Sequence, residues 1–296
     1  MTNKRIILAG GSGFLGRALA TELEKRGYDP VILSRNPDAY SGSGRAVGWD
    51  GKNEIDGAHA IINLTGKNVN CRPTAKNKKE ILTSRTDSVR TLGEVLRTVK
   101  NPPSVWIQAS SLAIYGDAKD RVCDESAAVD NQWPATVCTA WEDAFDHAAL
   151  PDMRRVVLRI GFVLGKDDGA LPFLAKLVKF GLGGSIGSGK QWISWLHVDD
   201  MIAIFIEALE NAEFEGVYNA TTPNAVTNAE LMRTLRKVLR RLWSPPAPAI
   251  AVKIGAPILG SDPVIALTGR RCISKRLINF PFTHPDLEPA LRNLLT

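Results

Sequence analysis

Arg5-Ile6-Ile7-Leu8-Ala9-Gly10-Gly11-Ser12-Gly13-Phe14-Leu15-Gly16 decides the fold of the chain. Ile6 to Ala9 read as a short strand, and Leu15, Ala18, Leu19 and Leu23 then share one face of a helix. Between them Gly10, Gly13 and Gly16 form G-x-x-G-x-x-G. Strand, glycine turn and helix in that order suit a pyrophosphate. The glycines let the chain turn tightly, let its backbone approach the phosphates and let the helix pack on the strand, while the helix N-terminus supplies free N–H groups and a favourable dipole. Gly10, Ser12, Gly13, Phe14, Leu15 and Gly16 are therefore candidate cofactor contacts.

Outward from this turn, short β-type runs alternate with amphipathic stretches. Strands are predicted at 31–34, 45–49, 60–64, 104–109 and 155–160, and helices at 14–26, near 77–99 and near 135–149; helix 198–209 and strand 216–219 return to the same sheet. Such alternation predicts an α/β fold, a doubly wound parallel sheet covered on both faces. The remaining segments are richer in Gly and Pro and their periodic stretches are shorter. The expected division is a cofactor domain over 1–160, completed by about 197–220, and a smaller mixed C-terminal substrate domain made of 161–196 and 221–296.

The second strand runs into Ser34-Arg35, where a site selective for NAD would place a carboxylate on the ribose 2′-OH. A guanidinium beside a hydroxyl suits a 2′-phosphate by charge and by its donor fork, so NADP (NADPH) is expected over NAD. The alternative is that Arg35 points to solvent and Asp38 or Asp50 supplies the carboxylate. Leu64-Thr65-Gly66 and Ala109-Ser110 follow later strands, and ligands of open α/β sheets lie beyond such carboxyl ends, so these residues too should line the cofactor.

The chain has 296 residues, 37 basic and 31 acidic, a net charge of +6. With 44% apolar residues it is an ordinary globular chain, which excludes disordered, collagen-like and disulfide-scaffold classes. The basic residues gather at Lys76, Lys78 and Lys79, at Arg233 to Arg241, and at Arg270, Arg271, Lys275 and Arg276. In the second cluster Leu231, Leu235, Val238 and Leu239 keep helical spacing, so the arginines read as a solvated face. No stacking aromatics interleave, and nucleic acid is not an expected partner. An anionic small ligand fits better.

Cys71, Cys123, Cys138 and Cys272 show no zinc-ligand spacing, and His59, His147 and His284 have no carboxylate or cysteine at ligand spacing, so free thiols and no metal are expected. His197, with Asp199 and Asp200 as natural caps, reads as the start of a helix. The N-terminus shows no signal-peptide pattern, and the apolar run from Met201 to Ile206 is far below the about 20 residues a bilayer requires. A cytoplasmic protein without a membrane partner is expected.

Together, G-G-S-G-F-L-G at 10–16, N-L-T-G at 63–66, S-S-L-A-I-Y-G at 110–116 and H-V-D-D at 197–200 resemble the extended short-chain dehydrogenases/reductases, the superfamily of nucleotide-sugar epimerases and dehydratases. S-R-N-P at 34–37, S-R at 84–85, Trp141-Glu142, G-L-G-G-S-I-G-S-G at 181–189 and Trp195-Leu196-His197 resemble its atypical NADP-binding "epimerase family protein" branch, which carries a small C-terminal domain.

The resemblance implies a Rossmann-like fold and hydride transfer at a small carbonyl, alcohol or sugar-nucleotide substrate, possible phosphate groups included. It also implies Ser111 in the place of the superfamily's catalytic serine and Tyr115 on the substrate side. Of the excess positive charge, Arg35, Arg85 and Lys190 are expected to face phosphate groups, Arg85 as part of the cofactor site. The superfamily's Tyr-x-x-x-Lys pair is missing: Cys138 stands at the tyrosine position and Glu142 at the lysine position. Ser111, Tyr115 and Cys138 are the catalytic candidates, and a non-catalytic NADP-binding regulatory or scaffold protein is the alternative. Tyr115 and Lys119 also fit the pair's spacing, but Gly116-Asp117 predict a turn between them. Gly181 to Gly189 read as either a lid over the substrate or a mobile connection. Trp141 and Phe145, on helices that often pair in superfamily dimers, hint at a homodimer.

Overall fold

The computed structural model describes residues 4–296. In chain order its first half comprises β1 (Arg5–Ala9), α1 (Phe14–Lys25), β2 (Asp29–Leu33), β3 (Arg45–Val47), α2 (Lys52–Ile55), β4 (Ala60–Asn63), α3 (Ala75–Leu96), β5 (Val105–Ser111), β6 (Val122–Cys123), α4 (Ala135–Ala148) and β7 (Arg154–Ile160). There follow β8 (Phe162–Leu164), α5 (Leu171–Lys179), β9 (Trp192–Ile193), β10 (Trp195–His197), α6 (Val198–Glu210), β11 (Gly216–Ala220), β12 (Val226–Thr227), α7 (Asn228–Val238), α8 (Ala249–Ile258), α9 (Pro263–Leu267), β13 (Arg271–Cys272) and α10 (Leu287–Leu295).

Seven strands form one sheet in the order β11-β7-β5-β4-β1-β2-β3. Every pairing in it is parallel. The order reverses between β1 and β4, and that switch point lies beside the glycine turn, where the sheet opens a crevice at its carboxyl end. Successive residues of β1 face opposite layers: Ile6 and Leu8 pack with Leu19, Leu23 and Phe205, whereas Ile7 and Ala9 pack with Leu92, Trp141 and Phe145. Both faces are therefore covered, as near-continuous apolar strands require.

Element boundaries shift for local reasons. Thr74 caps α3 by accepting from the Asn77 N–H at 3.1 Å, so the helix starts two residues before its predicted place. At the start of α6 the cap is His197 itself, whose Nδ1 accepts from Asp199 N–H at 3.1 Å, and neither aspartate caps it. Asp200 instead accepts from the Thr283 and His284 N–H groups at 2.7 and 3.0 Å, tying the C-terminal segment to the sheet layer.

Trp141 and Phe145 are 5% and 1% exposed, and Phe145 meets Trp106 edge-on at 5.1 Å. The two rings that hinted at a dimer are consumed in the subunit's own core. A separate apolar cluster joins α5, α7 and α10 through Leu171, Val178, Leu231, Leu235, Leu291 and Leu294. The glycine-rich stretch after α5 is packed against a neighbouring segment and does not form a loose connection. Gly183 and Gly184 are buried, the Gly187 N–H donates to Ala247 O at 2.8 Å, and a side chain at 184 would collide with Pro245. Its glycines allow two backbones to run side by side. No described helix is long and apolar enough to cross a membrane.

Candidate cofactor and active site

The β1–α1 turn has the geometry its sequence predicts. Gly10 adopts φ +79°, and a Cβ there would lie 2.8 Å from Leu64 C and Thr65 N, so the turn nests against the end of β4. Gly16 lies so close to Gly11 that any side chain would push α1 off the turn. Gly13 differs. It is exposed, its φ of −80° is open to any residue, and a Cβ there would approach only Gly10 O, at 3.4 Å. No side chain caps α1 and no acidic residue stands in its first turn, which leaves its N-terminal N–H groups to a ligand.

Around the turn, Ser12 is exposed, Leu15 is half-buried, and Phe14 packs beneath Gly165 and Gly169 of the loop after β8. Arg17, which sequence reasoning passed over, donates to Ser12 O at 2.7 Å and pairs with Asp168 of that same loop. Ser34 Oγ accepts from the Asn36 N–H at 3.1 Å, and Arg35 is exposed just beyond β2. At the end of β4, Asn63 Oδ1 accepts from the Thr65 N–H at 3.0 Å, and Thr65 Oγ1 is buried without a partner. An open approach at Gly13, unclaimed helix N–H groups and an orphaned hydroxyl fit a dinucleotide.

The positions of the missing pair are occupied by a different arrangement. Glu142, one turn after Cys138 on α4, accepts from Arg159 of β7 through Nε at 3.0 Å and Nη2 at 2.8 Å, and from Ser110 Oγ at 2.5 Å. Arg159 Nη1 donates to the Tyr115 hydroxyl at 2.8 Å, and that hydroxyl donates to Asn219 Oδ1 of β11 at 2.8 Å. Burial works against the Arg159 charge, but the bonds to Glu142 outweigh it and raise its pKa. Burial likewise raises the pKa of Tyr115, against the pull of Arg159.

Lys119 lies on the other side of a turn, at φ 53°, and pairs with Asp117 instead of Tyr115. Cys138 donates to Pro134 O within its own helix, and burial pushes its thiol up to about 12. Ala109 is buried in β5, whereas Ser111 is half-buried at that strand's end; its Oγ accepts from the Ala113 N–H at 3.2 Å, which leaves the hydroxyl hydrogen to donate outward. Lys190 is exposed on the segment leading to β9.

Arg159 and Asn219 were not singled out from the sequence, although a signal existed. Each is a polar residue inside an otherwise apolar strand of a sheet covered on both faces, and such a residue must find a partner.

His197, Asp199 and His284 bring ligand atoms within 4.8 Å of one another. They make a poor metal site, because His197 Nδ1 already accepts the Asp199 N–H and Nε2 faces Asn293 Oδ1 at 3.2 Å.

A parallel sheet with its crevice at a strand–glycine–helix switch point, and a polar cluster at the neighbouring strand ends, define a dinucleotide-binding α/β protein. The chain belongs to the NAD dependent epimerase/dehydratase family, whose model matches residues 6–221. It is 34% identical to Epimerase family protein YfhF of Bacillus subtilis (strain 168), over 98% of this chain and 97% of that one. The crystal structure of human epimerase family protein SDR39U1 with NADPH superposes with a TM-score of 0.89 at 30% identity, covering 98% of both chains. MoeE5 in complex with UDP-glucose and NAD, at 21% identity and a TM-score of 0.77, shares the fold.

Proposed function

We propose that the protein binds NADP(H) at the β1–α1 turn and transfers hydride to or from a small carbonyl, an alcohol or a nucleotide-linked sugar, without the Tyr-x-x-x-Lys pair. The glycine cradle carries this reading: it holds the turn against β4 while leaving Gly13 and the α1 N-terminus open. The similar human protein, crystallised with NADPH, supports it. Gly10 to Gly16 would hold the pyrophosphate, Ser34 and Arg35 the 2′-phosphate, and Leu64 to Gly66 with Ala109 and Ser110 the inner parts of the cofactor. Residues 161–196 and 221–296 would form the substrate side.

When bound, the cofactor supplies or takes up the hydride. Ser111 would donate its hydroxyl hydrogen to the substrate oxygen, stabilising charge there as the reaction proceeds. Tyr115 is buried and held by Arg159 and Asn219, so it acts as a positioning residue, and the high pKa of Cys138 suits packing more than proton transfer. The same occupied positions favour a second reading, a regulatory NADP-binding protein that has lost its chemistry.

The deciding experiment supplies the NADP- and NADPH-loaded protein with UDP- and dTDP-sugars and small carbonyls, and follows product and cofactor. Turnover of any substrate supports the enzyme, and tight NADPH binding with none supports the regulator. Ser111→Ala is expected to lower turnover about a hundredfold or more while NADPH affinity stays unchanged; an active Ser111→Ala variant would move the role elsewhere. Arg35→Asp is expected to weaken NADPH about tenfold or more and to spare NADH. Unchanged NADPH affinity would remove Arg35 from the 2′-phosphate.

A further inference from the structure

The basic residues of the chain are of two kinds. Arg85, expected beside the cofactor, is turned inward: its guanidinium stacks 5.0 Å from the Trp141 ring centroid and donates to the carbonyls of Lys67 and Ile81, at 3.1 and 3.0 Å. The cations at the ends of α5 and α7 are turned outward instead. Lys176, Lys179, Arg240 and Arg241 are exposed. Glu288 of α10 pairs with Lys237 and Arg292, at 2.7 and 2.8 Å, and among the described residues no acid pairs with those four cations. Residues 171–190 and 231–261 hold nine basic side chains and no acidic one.

The two helices end in the same way and in the same place. In α5 the Leu182 N–H reaches back to Leu177 O at 2.9 Å, with Gly181 at φ 77°; in α7 the Arg241 N–H reaches back to Arg236 O at 2.8 Å, with Arg240 at φ 56°. Glycine takes that left-handed turn at least cost, so α7 keeps an arginine where the backbone favours glycine. Arg236 Nη1 donates to Gly183 O at 2.7 Å, and the two chains then run on in parallel, with Ile186 opposite Ala247 and Gly184 against Pro245. Two residues before that last contact stand Leu182 and Trp243.

Each helix thus delivers one pattern to this end of the molecule: cations, then apolar side chains, Phe180 and Leu182 from α5, Leu242 and Trp243 from α7. Leu242 is fully exposed, and Phe180, Leu182 and Trp243 are 73%, 61% and 72% exposed. Ten of the fourteen large apolar side chains left exposed among the described residues fall within 173–182 and 242–265, so they are not the singly scattered residues of an ordinary surface.

Protruding apolar side chains beside unpaired cations fit one partner chemistry. A second copy docking through a two-fold axis would press the cations onto their own equivalents with no acid between them. An anionic lipid surface instead attracts each lysine and arginine, and its headgroup layer receives tryptophan, leucine and phenylalanine. No described helix is long and apolar enough to cross a membrane, and lying on one requires none. We propose that the paired ends of α5 and α7 dock the protein on an anionic phospholipid surface, with Phe180, Leu182, Leu242 and Trp243 entering the headgroup layer and Lys176, Lys179, Arg240 and Arg241 facing lipid phosphates. The proposal is independent of the cofactor reading.

Flotation of the full chain with lipid vesicles tests this. Vesicles of phosphatidylcholine and phosphatidylglycerol at three to one are expected to bind the protein, those of phosphatidylcholine alone are not, and added salt should release it. The double variant Leu242→Glu with Trp243→Glu should weaken binding about thirtyfold or more at an unchanged melting temperature, because both side chains stand in solvent. Arg240→Gln with Arg241→Gln should weaken it about tenfold or more. Lys52→Gln with Lys100→Gln, which removes two exposed cations on α2 and after α3, should change it less than about twofold. No binding to the anionic vesicles, equal binding to both kinds, full binding by the Leu242→Glu, Trp243→Glu protein, or an equal loss in the Lys52→Gln, Lys100→Gln protein overturns the docking surface. A concentration-dependent dimer in sedimentation velocity that Leu242→Glu with Trp243→Glu abolishes would give this face to a second copy and overturn it too.

Discussion

Arg159→Met is expected to lower the stability of the protein by about 3–5 kcal/mol in urea unfolding, the largest effect of any single change in the site. The methionine fills much of the arginine's volume, so the loss comes from charge. Glu142, 14% exposed in its side chain, would be left without a cation in a layer that water barely enters. Tyr115 would lose a donor at the same time. The double change Arg159→Met with Glu142→Leu should recover most of that loss, because removing both charges also removes the need to pair them. A single-variant loss under about 1 kcal/mol would mean that the pair behaves like an exposed ion pair.

Gly13→Val is expected to do the opposite: stability stays within about 1 kcal/mol, while NADPH affinity falls about a hundredfold or more. The backbone at 13 already has an extended conformation that valine adopts readily, and the nearest atom to a Cβ there is Gly10 O at 3.4 Å. The side chain would therefore intrude on the cofactor and on nothing else. Isothermal titration beside a thermal melt measures both quantities on one sample. Full NADPH affinity in a folded Gly13→Val protein would place the pyrophosphate away from this turn.

The contrast between these residues shows what a sequence reveals. The glycine turn was legible because its signal is local: strand, glycines and helix are contiguous, and the close packing of Gly16 on Gly11 falls within the same short stretch. The sheet was legible too, since β-type runs and amphipathic helices alternate with little interruption. The oddity at Cys138 and Glu142 was visible as a departure from the family's pattern, but its resolution was not. Glu142 is satisfied by Arg159 and Ser110, and Tyr115 by Arg159 and Asn219, partners that lie up to about a hundred residues away and meet only because β5, β7 and β11 are neighbours. The glycines at 181–189 misled for a related reason. Composition identifies flexible backbone, yet here the lack of side chains serves close packing against Pro245 and Ala247.

Asn219 gives the fold a further property. Its side chain accepts from Tyr115 and donates to Ile273 O at 2.9 Å, while its N–H reaches Glu125 at 3.0 Å. A residue on the last strand of the sheet thus fastens the loop after β5, the segment around β6 and the stretch after β13 to one point. The amino-terminal half is consequently not a portable module. A chimera that grafts residues 1–160 onto another substrate-side unit would carry the glycine turn and the Arg159–Glu142 pair but leave the Tyr115 hydroxyl without its acceptor, and it would need the β11 segment as well to inherit a formed site.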